Sequence, residues 1–416
     1  MNRKKVDLNN NIAAEEIGES KSIESPEVVT KYKTAADAVN KAYMLVKEAV
    51  KPNASVLELC RLGDSQILQY TSGVFNKAKT ATGEKVDKGL AFPTCVCVNN
   101  CVAHLSPLSD EDVAPLKEGD LVTIHMGAHI DGYCSVLCNT LSVGESSADS
   151  ASQPITDRKA DVVVATYTAA EAALRLLRPG RTNVEVSDIF SKIAEAYDCR
   201  IVEGCLSHQM KRYVIDGNKV VLAKPTFDQK VDTFEFQENE VYAIDIAMST
   251  GEGKTREEGR RCTIYKRRVD VEYSLKMKAS RAIFNEINSK YPTFPFSLRS
   301  LSEEKKAKLG ITELLTHNLV VSYPVLYERE GTFVARAKFT ALILPSQTLR
   351  ITELSMPVCQ SNKTLTDEAV LAVLNTSVSK KAQKKKKKQQ SSRTDSRQEG
   401  DRPVPMETED NITSSG

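Results

Sequence analysis

Apolar residues recur at every third or fourth position between residues 28 and 50 and again between residues 56 and 70, and this spacing predicts two amphipathic helices. A strand-like stretch, AFPTCVCVNNCVAHLSPL, follows the helices. Next comes Leu121–Asn139, where two apolar runs flank the turn pair Asp131-Gly132, a pattern that predicts a β-hairpin. The other predicted elements are organised around this hairpin.

The same order of elements returns in the second half of the chain. Residues 157–177 and 182–197 predict two further helices, and strand-like segments follow them, the last of which reads ENEVYAIDIAM. The segment Glu118–His125 also aligns with Glu238–Asp245. We therefore predict an internal duplication whose two halves face each other across a pseudo-twofold axis.

Such a duplication would create a pocket at the junction of the two halves. His104 and His125 would enter this pocket from the first half, and His208 and Asp245 from the second. Histidine and aspartate are common metal ligands and acid–base groups. The pattern therefore indicates either an active site or the remains of one.

Charge changes the picture outside the duplicated unit. The stretch 263–325 holds 11 Lys or Arg and 6 Asp or Glu, a local charge of +5, and its pattern predicts a basic helical insertion. Seven lysines lie between Lys380 and Lys388, in a stretch that cannot form a core. We predict a flexible tail over residues 1–22, a folded domain over 23–355 that contains the insertion, and a disordered tail over 356–416.

Composition excludes several classes of protein. With 41% hydrophobic residues and a net charge of +2, the chain reads as a soluble globular protein, and it has neither a secretion signal nor an apolar run long enough to span a membrane. None of its 10 cysteines lies in a CxxC pair. We expect buried free thiols rather than disulfides or a zinc site.

Several motifs resemble those of the type 2 methionine aminopeptidases. The stretches GLAFPTCVCVNNCVAH, VTIHMGAHIDG, VYAID and STGEG and the late strand with Lys338 carry the resemblance, which covers residues 23–355. It implies an α+β pita-bread fold, which is a duplicated α/β unit. The helical insertion predicted here lies where the type 2 enzymes carry theirs. The stretches VEGCLSHQMKRYVIDG, SLKMKASRA, PFSLRSLSEEKKAKLG and VLYEREG and the KKAQKKKKK tail identify the chain as a member of the ErbB-receptor-binding, proliferation-associated family, a non-peptidase branch of that fold.

The resemblance also implies which positions correspond to metal ligands. In the peptidases, two divalent metals are bound by two hairpin aspartates, one histidine and two glutamates, and a further histidine assists catalysis. The matching positions in this chain are, in the same order, His125 and Val136, His208, Asp245 and Lys338, and finally His104.

Two of these substitutions argue against a two-metal hydrolase. Such a site needs bridging carboxylates to neutralise two hard dications, and Val136 removes one of them. Lys338 places a positive charge where a metal would lie. We therefore expect no peptidase activity, no metal and no cofactor, and we expect the Lys338 ammonium to pair with Asp245.

Two alternatives keep a metal in the pocket. One is a divergent metal-dependent methionine aminopeptidase. The other is a single zinc ion held by His104, His125, His208 and Asp245, which are suitable ligands by type. Without a metal, the histidines are hydrogen-bonded remnants of the pocket.

The resembled family is known for binding ribosomes and structured RNA, for acting in the nucleolus and in translation control, and for roles in transcriptional regulation. The basic insertion and tail support RNA binding independently, because clustered lysines and arginines supply sequence-independent phosphate contacts. The alternatives are a nuclear localisation signal in the tail and an ordinary solvated helical face in the insertion. The residues assigned to RNA binding are Lys266, Arg267, Arg268, Lys276, Lys278, Lys305, Lys306, Lys308, Lys380, Lys381, Lys384, Lys385, Lys386, Lys387 and Lys388.

We therefore expect a monomer that binds the large ribosomal subunit and structured RNA, without membrane insertion, in the cytoplasm and nucleus, including the nucleolus. Its expected role is in ribosome biogenesis, translation control and growth regulation. Contacts with signalling receptors and transcriptional co-repressors are implied by the resemblance alone. A further alternative is a protein–protein adaptor in transcriptional regulation that uses the pocket as a peptide groove.

Overall fold

The structure, a computed structural model, describes residues 22–80, 83–109, 111–144, 154–226, 229 and 231–379. The helices are α1 (Pro26–Ala49), α2 (Val56–Ser72), α3 (Asp157–Leu176), α4 (Asn183–Ala196), α5 (Lys278–Lys290), α6 (Glu304–Thr316) and α7 (Glu368–Leu374). The strands are β1 (Lys88–Val98), β2 (Cys101–Ala103), β3 (Leu121–Ile130), β4 (Tyr133–Ser142), β5 (Arg200–Ile201), β6 (Leu206–Met210), β7 (Val220–Leu222), β8 (Glu240–Ser249), β9 (Arg256–Glu257), β10 (Ile264–Arg267), β11 (Phe296–Ser297), β12 (Val320–Tyr323), β13 (Leu326–Tyr327), β14 (Val334–Ile343) and β15 (Thr348–Arg350). Within these ranges, every helix is too short or too polar to cross a lipid bilayer.

One sheet of nine strands organises the molecule. Its main path runs β1-β3-β4-β14-β8-β6-β7, with β15 beside β14 and β5 beside β8. Three strands of this path lie on one side of the β4–β14 junction and four on the other, and β3 and β8 are each the second strand from the junction. This topology agrees with the predicted duplication, and it confirms the predicted α+β pita-bread fold.

Each half of the sheet is covered by its own pair of helices on the face opposite the site. Helix α1 packs on β3 and β4, α2 packs on β1 and β3, and α3 packs on β8 and β14 beside α4. The helix starts follow from local sequence: the Ser55 hydroxyl accepts a hydrogen bond from the Glu58 amide, and Thr182 and Glu185 form a capping box. Helix α3 buries many alanines, whose small side chains let it approach the sheet closely.

The two halves meet along β4 and β14 in an unusual seam. Cys138 and Lys338 are the paired residues at its centre. On one side, the Thr140 hydroxyl accepts from the Arg336 amide at 2.8 Å and donates to the Arg336 carbonyl at 2.8 Å. On the other side, the Thr340 hydroxyl accepts from the Val136 amide at 2.9 Å and donates to the Val136 carbonyl at 3.0 Å. At these positions two threonine hydroxyls thus take the place of the backbone–backbone hydrogen bonds of a regular sheet, one on each side of the Cys138–Lys338 pair.

The basic insertion contains the helices that we predicted, but it also contains strands that we did not predict. Its strands form a small sheet in the order β11-β10-β12, against which α5 and α6 pack. Its buried apolar residues form a separate cluster, which includes Ile283, Ile287, Phe296, Ile311 and Leu314. The strands are two to four residues long, so periodicity in the sequence could not reveal them. A second small sheet, β2-β13-β9, connects the insertion to the site.

The folded domain extends further than residue 355, where we predicted its end. Residues 356–379 lie on the second half: Cys359 forms a parallel β-bridge with Ile155, and α7 buries Val370 against α3 and α4. The prediction of disorder is therefore wrong for this part of the tail. Residues 1–21 and 380–416, including the seven predicted RNA-binding lysines from Lys380 to Lys388, lie outside the described residues.

Candidate functional site

Four residues form one row across the centre of the sheet, on the face away from the helices. His125 on β3 pairs with Cys138 on β4, Cys138 pairs with Lys338 on β14, and Lys338 pairs with Asp245 on β8. Paired residues point to the same face of a sheet, so this register brings together three of the predicted site positions. The row crosses the seam between the two halves.

Asp245 is buried and bound by two cations. The Arg336 guanidinium donates to both carboxylate oxygens, through Nε to Oδ1 at 2.7 Å and through a terminal nitrogen to Oδ2 at 2.5 Å. The Lys338 Nζ lies 3.0 Å from Oδ2, so the ion pair that we predicted is present. Burial alone would raise the pKa of Asp245, but the charges of Arg336 and Lys338 hold it well below its ordinary value. We call Asp245, Arg336 and Lys338 the ion cluster.

Val136 lies on the same face, two residues before Cys138, and is fully buried. Opposite it is Gly127, where a Cβ atom would stand 2.8 Å from a Val136 methyl group and 3.2 Å from Phe92. The glycine is required by this close packing, which fills the region with apolar groups. The valine side chain has no atom that can bind a metal, so the ligand that an aspartate would supply at position 136 is missing.

The histidines of the site are neutral. Desolvation and the nearby Arg336 charge lower the pKa of His104 to about 3. Desolvation, with the charges of Lys338 and Arg336, holds the pKa of His125 well below its usual range, and desolvation also lowers the pKa of His208. Nδ1 of His104 lies 3.1 Å from the Pro324 carbonyl, and Nδ1 of His208 lies 3.2 Å from the Gly217 carbonyl. Because a carbonyl only accepts, each Nδ1 carries the proton and each Nε2 is an acceptor.

His125 differs from the other two, and the prediction that it is a hydrogen-bonded remnant is wrong. It is 3% exposed, and among the described residues neither of its ring nitrogens has a hydrogen-bond partner. The Phe92 ring covers it with a centroid distance of 4.3 Å, and Phe92 also contacts His104 at 5.9 Å and Tyr323 at 5.6 Å. A buried imidazole without partners is costly, so this position is not explained by packing alone.

These residues do not fit a pair of divalent metal ions. Both oxygens of Asp245 are engaged by cations, and the other positions that correspond to carboxylate ligands hold His125, Val136 and Lys338. Across the described ranges, no three or more His, Cys, Asp or Glu side chains are grouped as metal ligands. The single-zinc alternative meets the same difficulty, since Asp245 would have to exchange two strong partners for the metal.

Reasoning from the sequence missed Arg336, the strongest partner of Asp245. A signal was present, because residues two apart on a strand point to the same face and Arg336 lies two positions before Lys338. It lies on the late strand that carried the resemblance, but it matches none of the family's ligand positions, and therefore nothing drew attention to it.

The basic residues of the insertion differ in whether an acidic side chain of the protein pairs with them. Lys266 lies 2.5 Å from Asp216, Arg268 lies 3.1 Å from Asp270, Lys306 lies 2.5 Å from Glu303 and Lys308 lies 2.9 Å from Glu304. Arg267 is half-buried with its guanidinium over the Phe284 ring.

By contrast, Lys276, Lys278 and Lys305 are exposed, and in the described part of the chain their ammonium groups form no ion pair. These three lysines are therefore the cations of the insertion that are most available to an external anion.

Comparison with known proteins places this site in a family context. Residues 30–269 match metallopeptidase family M24. The chain is 50% identical over 345 residues to ERBB-3 binding protein 1 of Solanum tuberosum, covering 83% of this chain and 86% of that protein. It is 38% identical over 365 residues to the protein of Schizosaccharomyces pombe named curved DNA-binding protein, covering 86% and 92%. The solved structure of a thermophilic Arx1 superimposes with a TM-score of 0.77 at 30% identity, covering 86% of this chain and 100% of that one.

Proposed function

This chain belongs to metallopeptidase family M24, in the group that includes ERBB-3 binding protein 1, and from that premise we propose that it is a catalytically inactive, aminopeptidase-like protein that binds ribosomes and structured RNA. Its roles would be in ribosome biogenesis, translation control and growth regulation, in the cytoplasm, nucleus and nucleolus. The proposal has two parts, the loss of peptidase chemistry and the gain of a nucleic-acid surface, and the two parts are tested separately.

The loss of peptidase chemistry is supported above all by the engagement of Asp245 with Arg336 and Lys338. A two-metal peptidase activates water between two dications, which needs several anionic oxygen ligands. Of the four positions that correspond to carboxylate ligands, only Asp245 holds a carboxylate in this chain, and two protein cations already pair with it. A metal entering this position would meet their repulsion and would have to displace them.

Metal analysis combined with a peptidase assay tests this part. The purified chain is equilibrated with Zn²⁺, Mn²⁺ or Co²⁺, dialysed, and analysed for bound metal, and is then assayed on methionyl peptides beside an active type 2 methionine aminopeptidase. We expect less than one metal per chain and no hydrolysis above the blank. Stoichiometric metal with release of methionine would instead establish the divergent aminopeptidase.

The nucleic-acid surface is supported by the charge of the insertion and by its exposed lysines Lys276, Lys278 and Lys305. Phosphate contacts from such residues are independent of sequence and release counterions. A relative that is 38% identical is named for binding curved DNA, which favours a surface for nucleic-acid backbones over a purely protein-directed adaptor. The lysines from Lys380 to Lys388 would add to this surface.

Co-sedimentation with ribosomes over a salt series tests this second part. We expect binding to weaken steeply as salt rises, and the triple variant K276E/K278E/K305E to bind at least ten-fold more weakly at about 100 mM salt, with a slope of log affinity against log salt reduced by roughly 2 to 3. The matched control K33E/K51E/K117E changes three exposed lysines outside the insertion and the net charge equally. Equal losses in both variants would contradict the insertion as the contact surface.

The alternative to a ribosome-binding protein is an adaptor that binds signalling receptors or transcriptional co-repressors. A protein that co-purifies with its partners in high salt and after nuclease treatment, but does not sediment with ribosomes, would favour the adaptor.

A further inference from the structure

The ion cluster carries one more positive charge than negative charge. Arg336 and Lys338 each contribute +1 and Asp245 contributes −1, so the group has a net charge of +1 at neutral pH. Asp245 and Arg336 are 3% and 9% exposed, whereas the Lys338 side chain keeps 14% of its surface accessible. Lys338 is therefore the member of the ion cluster that is most open to a ligand. An excess charge in such a place is costly unless an anion can approach it.

Next to this charge lies a polar side chain without a partner. His125 belongs to the same row of the sheet as Lys338, separated from it by Cys138 alone, and neither of its nitrogens is hydrogen-bonded to any described residue. The imidazole is nearly inaccessible, with 3% exposure. A donor that is buried and unused beside an uncompensated cation is the arrangement expected of a site that a ligand completes.

From these two observations we propose that this face of the sheet binds a monoanionic carboxylate attached to an apolar group, with the Lys338 ammonium and the His125 ring as its donors. The net charge of +1 selects a carboxylate over a phosphate dianion, since one negative charge balances the cluster and two would overcompensate it.

The side chains around Lys338 and His125 indicate which chemical group carries the carboxylate of the ligand. Phe92 and Tyr323 lie against the histidines, with ring centroids 5.6 Å apart, and they form an aromatic wall. His104 contacts both rings and turns its acceptor Nε2 away from the Pro324 carbonyl. An N-acyl amino acid with an apolar side chain has the matching groups, because its ring or aliphatic chain meets the wall and its amide N–H can donate to the imidazole.

The same chemistry is found in a small acylated amino acid and at the C-terminus of a peptide. The probes are therefore N-acetylphenylalanine and N-acetyl-Ala-Ala-Phe, each compared with its C-terminal amide, by titration calorimetry with the full-length chain. We expect both acids, or one of them, to bind, and each amide to bind at least about ten-fold more weakly, because the amide has lost a charge-assisted hydrogen bond. Stronger binding of the tripeptide identifies a chain end as the ligand, and equal binding identifies the free acid.

Variants then locate the interaction. Lys338→Met should abolish the preference for acid over amide, and Lys338→Arg should retain it. The control Lys51→Met removes an exposed lysine outside both the site and the insertion and should leave the preference intact. A nitrogen-detected NMR shift of the His125 ring on addition of the acid gives a second readout that needs no variant.

Two results would overturn the proposal. One is that acid and amide bind wild-type protein equally, or that neither binds at about 10 mM, a comparison that holds even if the variants fail to fold. The other is an acid preference that Lys338→Met leaves unchanged. Neither result bears on ribosome binding, which rests on the insertion.

Discussion

Asp245 faces two cations, and this stoichiometry determines how each member of the ion cluster tolerates substitution. Arg336 forms a buried, bidentate salt bridge with the carboxylate, whereas Lys338 forms a single ion pair and its side chain remains partly accessible. If Lys338 is removed, the buried pair is still neutral. If Asp245 is removed, two cations are left without a counter-charge in the centre of the sheet. Unpaired buried charges are among the most destabilising changes in proteins.

Replacing Asp245 by asparagine should therefore destabilise the fold by about 3–5 kcal/mol, although the side chain keeps its shape. Lys338→Met should cost about 1 kcal/mol or less, because Arg336 and Asp245 still neutralise each other. Urea unfolding followed by circular dichroism measures both. If the two variants lose similar stability, the asymmetry that we infer from the contacts is incorrect.

At this scale the sequence allowed only part of the site to be predicted. The pairing of Lys338 with Asp245 could be predicted because both positions lie in motifs of known place in the fold. The role of Arg336 could not, since motif matching ignores the alternation of strand residues that brings it to the same face. The lack of partners around His125 depends on every neighbouring side chain, and no local pattern in the sequence encodes it.

At the scale of elements, the seam between β4 and β14 depends on two hydroxyl groups. Each hydroxyl satisfies a backbone amide and a carbonyl at once, so losing one threonine leaves two buried backbone groups without partners. Each such group costs about 1–3 kcal/mol. The seam is also where the two halves of the molecule meet, and weakening it should loosen one half from the other.

Thr340→Val, which keeps the shape and removes the hydroxyl, should destabilise the protein by about 2–4 kcal/mol. Thr340→Ser keeps the hydroxyl and should cost about 1 kcal/mol, the loss of one buried methyl group. Hydrogen exchange should show faster exchange of the Val136 amide in the valine variant only. A valine variant as stable as the serine variant would mean that the β4–β14 contact does not need the hydroxyl.

Long elements could be predicted from the pattern of apolar residues, and short ones could not. The four helices that cover the sheet each show a clear helical period, and each was predicted from it. Helix α7 was missed because its seven residues resemble an isolated apolar patch in a polar tail. The surface that buries Val370 is built by α3 and α4, far away in the sequence.

At the scale of the whole molecule, burial of histidines links stability to pH. Desolvation lowers the pKa of His104 to about 3 and that of His129 to about 4, and it also lowers the pKa values of His125 and His208. In the unfolded chain these rings titrate near their ordinary pKa of about 6.5. Below that pH the unfolded state binds more protons than the folded state, so stability falls as pH falls.

Between pH 7.5 and pH 5 we therefore expect the free energy of unfolding to decrease, with a slope that approaches about 1.4 kcal/mol per pH unit for each of these histidines. Urea titrations at half-unit pH intervals measure the slope and thus the number of protons taken up on unfolding. His125→Phe should reduce that number by about one. Stability that is constant over this range would show that the rings titrate in the folded protein as they do in the unfolded chain.

Both cations that hold Asp245 come from β14, the neighbour of β8 in the same half of the sheet. Across the seam, the first half contributes the uncharged side chains of His125 and Val136. The carboxylate at the centre is therefore neutralised within one half, before the halves dock. On the proposed function the nascent chain needs no metal to mature, so its abundance in the cell should be insensitive to metal starvation.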